Sequence, residues 1–368
     1  MNVHIKELDI SKTKYSTIEG DTALNIAARC GNIDAIQLLL NSGWNPNIKN
    51  DQGDTALHMS SYSGNVQAIQ FLLDIGCKPN DKNKQGDTAL HIAAKKNNEH
   101  AIQLFLDSGC NPNQTNDQGR TALHEAADYQ QNINLDVIRL LLENGCKPDD
   151  KDKQGRTALH VAANQWDINL DVIRLLLENG CKPDDKDEQG RTALHVAADN
   201  RWKRNLDVIR LLLENGCKPD EKDKQGRTAL HVAACNRQSI NLDVIRLLLE
   251  NGCKPDDKDK QGRTALHVAA GRTININLDV IRLLLENGCK PDDKDKQGRT
   301  ALHVAADNRW RMNLDLIQLL LENGCKPDEK DKQGDTALHI AAEQNKEHAI
   351  QLLLQSGCNP NQTNDQVK

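Results

Sequence analysis

Two kinds of apolar segment alternate along this chain and are separated by polar turns. The first kind is represented by Thr157–Ala163, a short alanine-rich segment that predicts a helix packed closely on both sides. The second kind, Leu170–Glu178, carries the broad apolar stripe of an amphipathic helix. Asn169 is predicted to cap the start of this second helix, and Gly180 to end it in a left-handed conformation. The charged, proline-containing stretch that follows predicts an exposed turn.

This pair of segments recurs in tandem, and a glycine stands before each Thr-Ala-Leu. The glycines are 33 residues apart in the first three steps and 35 or 36 apart afterwards. A single helix pair cannot bury its apolar faces, whereas stacked neighbours can, so the repeats predict one continuous array. The units begin near Gly20, Gly53, Gly86, Gly119, Gly155, Gly190, Gly226, Gly262, Gly298 and Gly334.

The motif G-x-T-A-L-H-x-A-A at this spacing resembles the ankyrin repeat, whose pattern is T-P-L-H-x-A. The resemblance covers residues 17–365 and implies an all-α ankyrin-repeat solenoid, in which antiparallel helix pairs stack and β-hairpin turns project. Alanine stands where the family carries proline, and Asn25 replaces the first histidine. We expect residues 1–16 to form an N-terminal extension that caps the array in part, and residues 366–368 to be its C-terminal end.

Composition and charge restrict the expected partners and compartment. The net charge is −6 and 27% of the residues are charged, with both signs interspersed. This balance argues against nucleic acids and anionic membranes as partners. The sequence has no apolar run near 18 residues and no apolar leader, so we expect no membrane insertion. The expected localisation is cytoplasmic, with the nucleus and a secreted effector left open as alternatives.

Histidine and cysteine each recur once per unit and invite a chemical interpretation. Packed helices lie about 8–10 Å apart, which is too far for one metal ion or one disulfide to join neighbouring units. The resemblance implies instead that the histidine bonds backbone near the turn, and the cysteine is interpreted as a small buried residue. The recurring histidines are His58, His91, His124, His160, His195, His231, His267, His303 and His339. The recurring cysteines are Cys77, Cys110, Cys146, Cys181, Cys217, Cys253, Cys289, Cys325 and Cys358.

No sequence pattern predicts an active site. The stretch from His124 to Asp128 starts like the zinc-protease motif HExxH, but the second histidine is missing. Glycine-rich phosphate loops, nucleophile elbows and paired carboxylates are also absent from the sequence. We therefore expect a protein that is not an enzyme and holds no cofactor and no metal.

The units differ most between their first and second helices. Units 4–9 carry two or three extra residues there, which predicts a continuous ridge of enlarged loops along one edge of the array. Tryptophan and arginine, which are frequent interface anchors, are concentrated in this ridge. Alternatively, each tryptophan folds back over its own loop. The predicted contact residues of the ridge are Trp166, Arg201, Trp202, Arg204, Arg309, Trp310 and Arg311.

A second set of variable residues follows the glycine that starts each unit. The end units carry aspartate there, and the middle units carry arginine. In proteins that resemble this one, this column and its neighbours on the turn contact partners. Alternatively, each arginine pairs with an aspartate of its own turn. We call these residues the arginine column: Arg120, Arg156, Arg191, Arg227, Arg263 and Arg299.

These features predict a non-catalytic scaffold or adaptor that binds a protein through its concave rim and through the ridge. An acidic partner surface would complement the arginine column. Two alternatives remain at this point. The array could be the regulatory portion of a larger protein, or the arginine and lysine column could bind nucleic acid or another acidic ligand, which the net charge opposes.

Overall fold

A computed structural model describes residues 20–128, 135–165, 169–199, 205–235, 242–271, 277–307 and 314–365. Within these ranges the only regular secondary structure is α-helix, as the sequence predicts. The chain divides into two compact bodies, which are described separately. The first contains Met1–Ala162 and Arg174–Cys181, and the second contains Ala163–Ile173 and Lys182–Lys368. None of the helices in the described ranges has the length and apolar character needed to cross a bilayer.

The described helices alternate between a first helix, A, and a second helix, B, in each repeat. The A helices are α1 Ala23–Cys30, α3 Ala56–Ser63, α5 Ala89–Lys95, α7 Ala122–Ala127, α9 Ala158–Ala163, α11 Ala193–Asp199, α13 Ala229–Cys235, α15 Ala265–Ala270, α17 Ala301–Ala306 and α19 Ala337–Glu343. The B helices are α2 Ile33–Asn41, α4 Val66–Asp74, α6 Glu99–Asp107, α8 Leu135–Glu143, α10 Leu170–Glu178, α12 Asn205–Glu214, α14 Leu242–Glu250, α16 Leu278–Glu286, α18 Leu314–Glu322 and α20 Glu347–Gln355.

Capping residues set the ends of these helices. In the eighth repeat, Thr264 lies before helix α15 with extended backbone angles, and its backbone N–H donates to Nδ1 of His267 at 3.3 Å. Asn277 caps helix α16 by accepting from the N–H of Asp279 at 2.9 Å. Gly288 follows that helix with φ of 93°, a conformation that glycine adopts without strain. The predicted B helix Leu170–Glu178 is confirmed to the residue.

Stacking of like helices builds the core of each body. In the first body the A helices α1, α3, α5 and α7 pack side by side, and so do the B helices α2, α4, α6 and α8. In the second body the same holds for the A helices from α11 to α19 and for the B helices from α12 to α20. Each layer therefore buries its aliphatic side chains against the next layer. Leu230, Ile245 and Leu248, for example, are completely buried.

In seven of the described layers, one histidine joins its layer to the next. Its Nδ1 accepts from the threonine that caps its own helix, so Nε2 carries the proton. Nε2 then donates to the carbonyl of the residue after the glycine of the following repeat, at 2.9–3.0 Å. Burial lowers the pKa of these imidazoles below the ordinary value. The described pairs are His58–Asp87, His91–Arg120, His124–Arg156, His195–Arg227, His231–Arg263, His267–Arg299 and His303–Asp335. The predicted backbone role of these histidines is confirmed.

Layer 1 shows which property of the histidine the stack requires. Asn25 occupies the histidine position there, and its Oδ1 accepts from the N–H of Thr22 at 3.2 Å. Its Nδ2 donates to the carbonyl of Asp54 in layer 2 at 3.1 Å. An amide thus makes both bonds that the imidazole makes elsewhere. The stack needs an acceptor and a donor held in this geometry, and it does not need a titratable group.

The recurring cysteines lie inside the layers, as predicted, and all eleven cysteines of the chain are free thiols. In most layers the Sγ atom lies 3.2–3.9 Å from the carbonyl oxygen of a proline in the preceding turn, for example that of Pro219 for Cys253. Burial raises the pKa of the Cys253 thiol to about 12. Thiolate formation is therefore suppressed in the folded chain. Cys30 and Cys235 differ from the rest because they are partly exposed.

Acidification should destabilise the stack through its histidines. The pKa of each of the seven paired histidines is lower when folded, so the folded state binds fewer protons than the unfolded state. Their full stabilisation is present above about pH 6.5 and is lost as the pH falls, at up to about 1.4 kcal/mol per histidine and pH unit. We expect the urea midpoint to fall steadily between pH 7.5 and 5.5.

The chain supplies a matched control for this experiment. The triple variant His195→Asn/His231→Asn/His267→Asn copies the bonds of Asn25 into three layers of the second body. We expect its urea midpoint to depend less on pH than that of the wild type. An equal pH dependence in the two proteins would contradict the assignment of the acid response to these imidazoles.

The thiols should react in two classes. We expect Ellman's reagent to modify Cys30 and Cys235 first in the native chain, because the other nine cysteines are buried. In urea all eleven thiols should react at similar rates. Fast modification of the buried set under native conditions would show that the layers open far more readily than their packing implies.

Candidate partner-binding surface

The predicted ridge residues fall outside the described residues. Trp166, Arg201, Trp202, Arg204, Arg309, Trp310 and Arg311 all belong to the loops between helices A and B, in the gaps of the described ranges. The ridge therefore remains a prediction. The turns that carry the arginine column are described in full, and they define the surface that can be analysed residue by residue.

An aspartate organises each turn of the middle layers. In the turn that leads into layer 7, Oδ1 of Asp223 accepts from the backbone N–H of Gln225 at 2.9 Å and of Arg227 at 2.8 Å. The backbone N–H of Asp223 donates to the carbonyl of Arg227 at 2.9 Å, which closes the turn like a β-hairpin. Gly226 has φ of 78°, and a Cβ there would lie 2.8 Å from the backbone nitrogen of Lys260. Only glycine permits this close approach of two turns.

Backbone hydrogen bonds also join successive turns. The N–H of Lys260 donates to the carbonyl of Gln225 at 2.8 Å, and the same bond recurs between Lys296 and Gln261. The side chains of these lysines and glutamines are exposed. A further set of lysines reinforces the junction, because Nζ of Lys258 donates to the carbonyl of Lys294 at 3.1 Å. Within the second body the turns are thus hydrogen-bonded from layer to layer.

Each arginine of layers 5–9 pairs with the aspartate of its own turn. Nε and Nη2 of Arg227 both lie 2.8 Å from Oδ2 of Asp223. The aspartate side chains are buried, whereas the arginine side chains are 28–38% exposed. Of the two interpretations of the column, local pairing is therefore what the structure contains. The pairs are Arg156–Asp152, Arg191–Asp187, Arg227–Asp223, Arg263–Asp259 and Arg299–Asp295.

This pairing changes the electrostatics of the column. Burial alone would raise the pKa of Asp152, but the hydrogen bonds and the charge of Arg156 outweigh it and hold that pKa below its ordinary value. Each guanidinium is consequently neutralised by a carboxylate and fixed along one edge. In layers 7 and 8, Nη1 of Arg227 and of Arg263 donates to no acceptor among the described residues. The column presents oriented donors rather than a band of excess positive charge.

The aspartate layers near both ends use a different bond. Oδ1 of Asp54 accepts from Nδ2 of Asn83, which belongs to the next turn, at 2.8 Å. The same bond forms from Asn50 to Asp21, from Asn116 to Asp87 and from Asn364 to Asp335. Aspartate in these layers is thus joined to an asparagine one turn further on. The sequence carries a signal for this difference that we did not use, because the asparagine replaces the aspartate found four residues before each column arginine in the middle layers.

Layer 4 combines the two kinds of turn. Its turn carries Asn116, which bonds Asp87, so Arg120 finds no aspartate in its own turn. Glu125 supplies the carboxylate instead, with Oε1 3.1 Å from Nε of Arg120, and Asp128 adds a second contact at 2.8 Å. Burial raises the pKa of Glu125, and the charge of Arg120 partly opposes this shift. The sequence pattern of His124–Asp128 indicates only an incomplete zinc motif, so the ion pair of Glu125 with Arg120 was not predicted.

The described turns expose hydrogen-bond donors, and the titratable side chains most often used in chemistry are buried or engaged elsewhere. No group of three or more His, Cys, Asp or Glu side chains in the described ranges could hold a metal ion. The paired imidazoles are engaged at both ring nitrogens, and the buried thiols have raised pKa values. What the turns present to solvent is a regular array of guanidinium, ammonium and amide donors on a hydrogen-bonded frame.

Comparisons with known proteins agree with this architecture. The family profile described as "Ankyrin repeats (3 copies)" matches residues 3–83, 75–152, 130–223, 201–295 and 273–364. The crystal structure of the human ASB11 ankyrin repeat domain is similar, with 25% identity and a TM-score of 0.54 over 64% of this chain and 100% of that one. The ankyrin repeat domain of Bcl-3, a member of the IkappaB protein family, has 28% identity and a TM-score of 0.52 over 63% of this chain and 99% of that one. A comparison with curated protein sequences finds no match.

The two partners of a turn ion pair should differ in their contribution to stability. Asp223→Ala removes the acceptor of two backbone N–H groups and also leaves Arg227 without its anion. We expect this change to lower the free energy of unfolding by about 2–3 kcal/mol, because two partly buried backbone N–H groups and a guanidinium lose their partner together. Arg227→Ala removes only the half-exposed side and should cost about 1 kcal/mol or less. Urea midpoints of the two variants measure the difference, and equal midpoints would contradict the primary role of the aspartate.

Proposed function

Because this chain belongs to the ankyrin repeat family, a general protein–protein interaction fold that is typically non-catalytic, we propose that it is a non-catalytic scaffold or adaptor for a protein partner. The observation that carries the proposal is the ordered arginine column. In the second body, Arg191, Arg227, Arg263 and Arg299 repeat the same half-exposed, aspartate-fixed arrangement in four successive layers. The partner binds through this turn surface and through the ridge of units 4–9.

Rigidity is what makes the turn surface suited to binding. An arginine side chain that is free in solution loses rotamer entropy when it is immobilised at an interface. In layer 7, Oδ2 of Asp223 already holds Nε and Nη2 of Arg227. Most of this rotamer entropy is therefore lost on folding and not on binding. The free Nη1 atoms of Arg227 and Arg263 then point to carboxylates or carbonyl oxygens on the partner as ligands. A partner with acidic side chains fits this surface.

The ridge contributes anchoring in this proposal, and the column contributes orientation. Tryptophan buries a large rigid surface at low entropic cost, and arginine is enriched beside it at interface hot spots. Trp202 with Arg201 and Arg204, and Trp310 with Arg309 and Arg311, form two such groups in the sequence. The ordinary location for this adaptor would be the cytoplasm, where free thiols stay reduced. The same surfaces would serve if the array regulates a larger protein.

Nucleic acid is disfavoured as the partner by the pairing of the column. Binding to a phosphate backbone draws its energy from uncompensated positive charge and counterion release. In layers 5–9 each column arginine already has its own aspartate, and the net charge of the whole chain is −6. A protein partner needs only the directional donors that the column offers.

Affinity capture with ridge variants tests the scaffold function. The bait Trp166→Ala/Trp202→Ala/Trp310→Ala should lose a protein that the wild-type array captures from native lysate, because buried tryptophan anchors are worth about 2 kcal/mol or more each. Trp44→Ala is the matched control, since Trp44 is 38% exposed after helix α2 and lies outside the ridge. Mass spectrometry identifies the captured protein, after circular dichroism has confirmed that all baits are folded.

The outcomes separate the two interpretations of the ridge. Loss of the captured protein in the triple variant, with retention in Trp44→Ala, supports the ridge as a binding edge. A triple variant that unfolds more easily but captures the same protein would make the ridge a packing feature. If neither bait captures any protein, the scaffold function itself is contradicted.

A further inference from the structure

Layer 10 is the second place where the two kinds of turn meet, and here the mismatch leaves a carboxylate without its cation. Its turn carries Asp331, as the arginine layers do, but its column position is Asp335. Oδ1 of Asp331 accepts from the N–H groups of Gln333 at 2.8 Å and of Asp335 at 3.0 Å. Oδ1 of Asp295 in layer 9 has the two equivalent bonds, at 2.8 and 2.9 Å. The two carboxylates are therefore held in the same way.

The second carboxylate oxygen differs between these layers. Oδ2 of Asp295 receives Nε and Nη2 of Arg299, both at 3.2 Å. Within the described ranges no donor reaches Oδ2 of Asp331, and no lysine or arginine lies within ion-pair distance of it. The nearest column arginine, Arg299, is already engaged by Asp295 and, at 3.6 Å, by Asp307. Asp331 is partly exposed, whereas its counterparts in layers 5–9 are buried under their arginines.

A second carboxylate marks the same empty position. Residues eight positions after a column arginine contact its Nη1 in two other layers: Asp128 contacts Arg120 at 2.8 Å, and Asp307 contacts Arg299 at 3.6 Å. Glu343 is the equivalent residue in layer 10, and it is exposed. Asp331 and Glu343 thus occupy the positions whose counterparts in layer 9, Asp295 and Asp307, contact the two sides of the Arg299 guanidinium.

A groove opens at this position on the turn side of the second body. Its volume is about 500 Å³, and its lining includes Arg263, Arg299, Asp331, Asp335, Ile340 and Glu343. Layer 4 shows how the chain treats the opposite mismatch, an arginine without its aspartate: Glu125 and Asp128 supply the missing charge internally. In layer 10 the missing group is a cation. Among the described residues Lys332 is the closest cation in sequence to both aspartates of the turn, and it forms no ion pair with either.

We propose that this groove binds an arginine side chain of a partner protein, whose guanidinium takes the place that the column arginine occupies in layers 5–9. Nε and one terminal nitrogen bond Oδ2 of Asp331, and the other terminal nitrogen faces Glu343. Asp335 adds negative charge beside the site, while its Oδ1 stays bonded to Nδ2 of Asn364 at 2.6 Å. The inference rests on the proposed function as a protein-binding array and gives one contact of that partner its chemistry.

Arginine fits this groove better than lysine does. A planar fork can reach two carboxylates on different elements at once, whereas an ammonium is a point charge that is strongly hydrated. The aliphatic part of the arginine side chain can lie against Ile340, which lines the groove. Because the cation is held by two separate carboxylates, those of Asp331 and Glu343, the groove selects a guanidinium over other positively charged groups.

A peptide titration tests the proposal. The probe is a fluorescein-labelled peptide of four Gly-Ser-Arg triplets, compared with peptides that carry lysine or citrulline in place of arginine. Fluorescence anisotropy with the full chain should show the arginine peptide binding about fivefold or more tightly than the lysine peptide. The citrulline peptide, which keeps the shape and loses the charge, should not bind. Equal binding of the arginine and lysine peptides would overturn the proposal.

Variants locate the binding to layer 10. Asp335→Arg should restore the turn ion pair of layers 5–9, fill the groove from within and weaken binding of the arginine peptide by about tenfold. Glu343→Gln changes an exposed side chain and should weaken binding without affecting the fold. Asp315→Asn is the matched control, since it removes the same charge from an exposed position of helix α18 and should change binding less than about twofold.

Measurements of stability and of protein capture distinguish failure of the groove inference from failure of the scaffold function. Asp335→Arg should have a urea midpoint at or above that of the wild type, because it supplies Asp331 with a cation. An Asp335→Arg protein that is folded and still binds the arginine peptide like the wild type would overturn the proposal. A protein captured through the ridge, with no arginine-peptide binding, would overturn this inference and leave the scaffold function standing. Arginine-peptide binding without any captured protein would support the groove and contradict the scaffold.

Discussion

The hydrogen bond from a buried side chain to the next layer's carbonyl is the interaction on which the stacked helices depend. Helices of six to ten residues are too short to persist alone in water. His267 bonds the cap of its own helix at Nδ1 and the carbonyl of Arg299 at Nε2. Helix capping and layer joining therefore use one side chain, so the residue that completes the cap is also the link to the next layer. Asn25 makes both bonds in layer 1, so geometry rather than imidazole chemistry is required.

Local signals repeat in every unit, and this is why the fold could be predicted from the sequence. The bounds of helix α10 followed from the apolar stripe, Asn169 and Gly180. The first helix was less accurately predicted: Thr157 was placed inside it, but the helix is Ala158–Ala163. Threonine suits both positions by composition, and only its bond to Nδ1 of His160 identifies the cap. The buried state of the cysteines was also predictable, because each follows a helix end at a fixed distance.

The candidate surface was predictable in its residues and not in its chemistry. The sequence identified the arginine column but left contact and local pairing equally open, since the choice depends on whether Oδ2 of the turn aspartate faces the guanidinium. The ionic role of Glu125 was missed because the motif HExxH compares this residue only with positions 124 and 128, whereas its partner Arg120 lies five residues before it. The change from aspartate to Asn116 four residues before that arginine was the available signal. Reading each turn as a pair of positions, four residues apart, would have predicted both mismatched layers.

The turns of layers 5–9 are nearly identical, and this limits the layers at which the chain can distinguish one partner from another. Layers 5–9 present the same ion pair in each turn, so they supply orientation and cannot by themselves define a unique register along the array. A contact that occurs at one layer only requires a turn that differs from the turns of layers 5–9. Layer 4 departs and compensates internally through Glu125, which removes its charge from the surface. Layer 10 departs without compensation, and its turn still holds the Asp331 carboxylate by two backbone donors. A single substitution at the column position is therefore enough to convert a structural ion pair into a preorganised contact, and that contact fixes the register which the repeated layers lack.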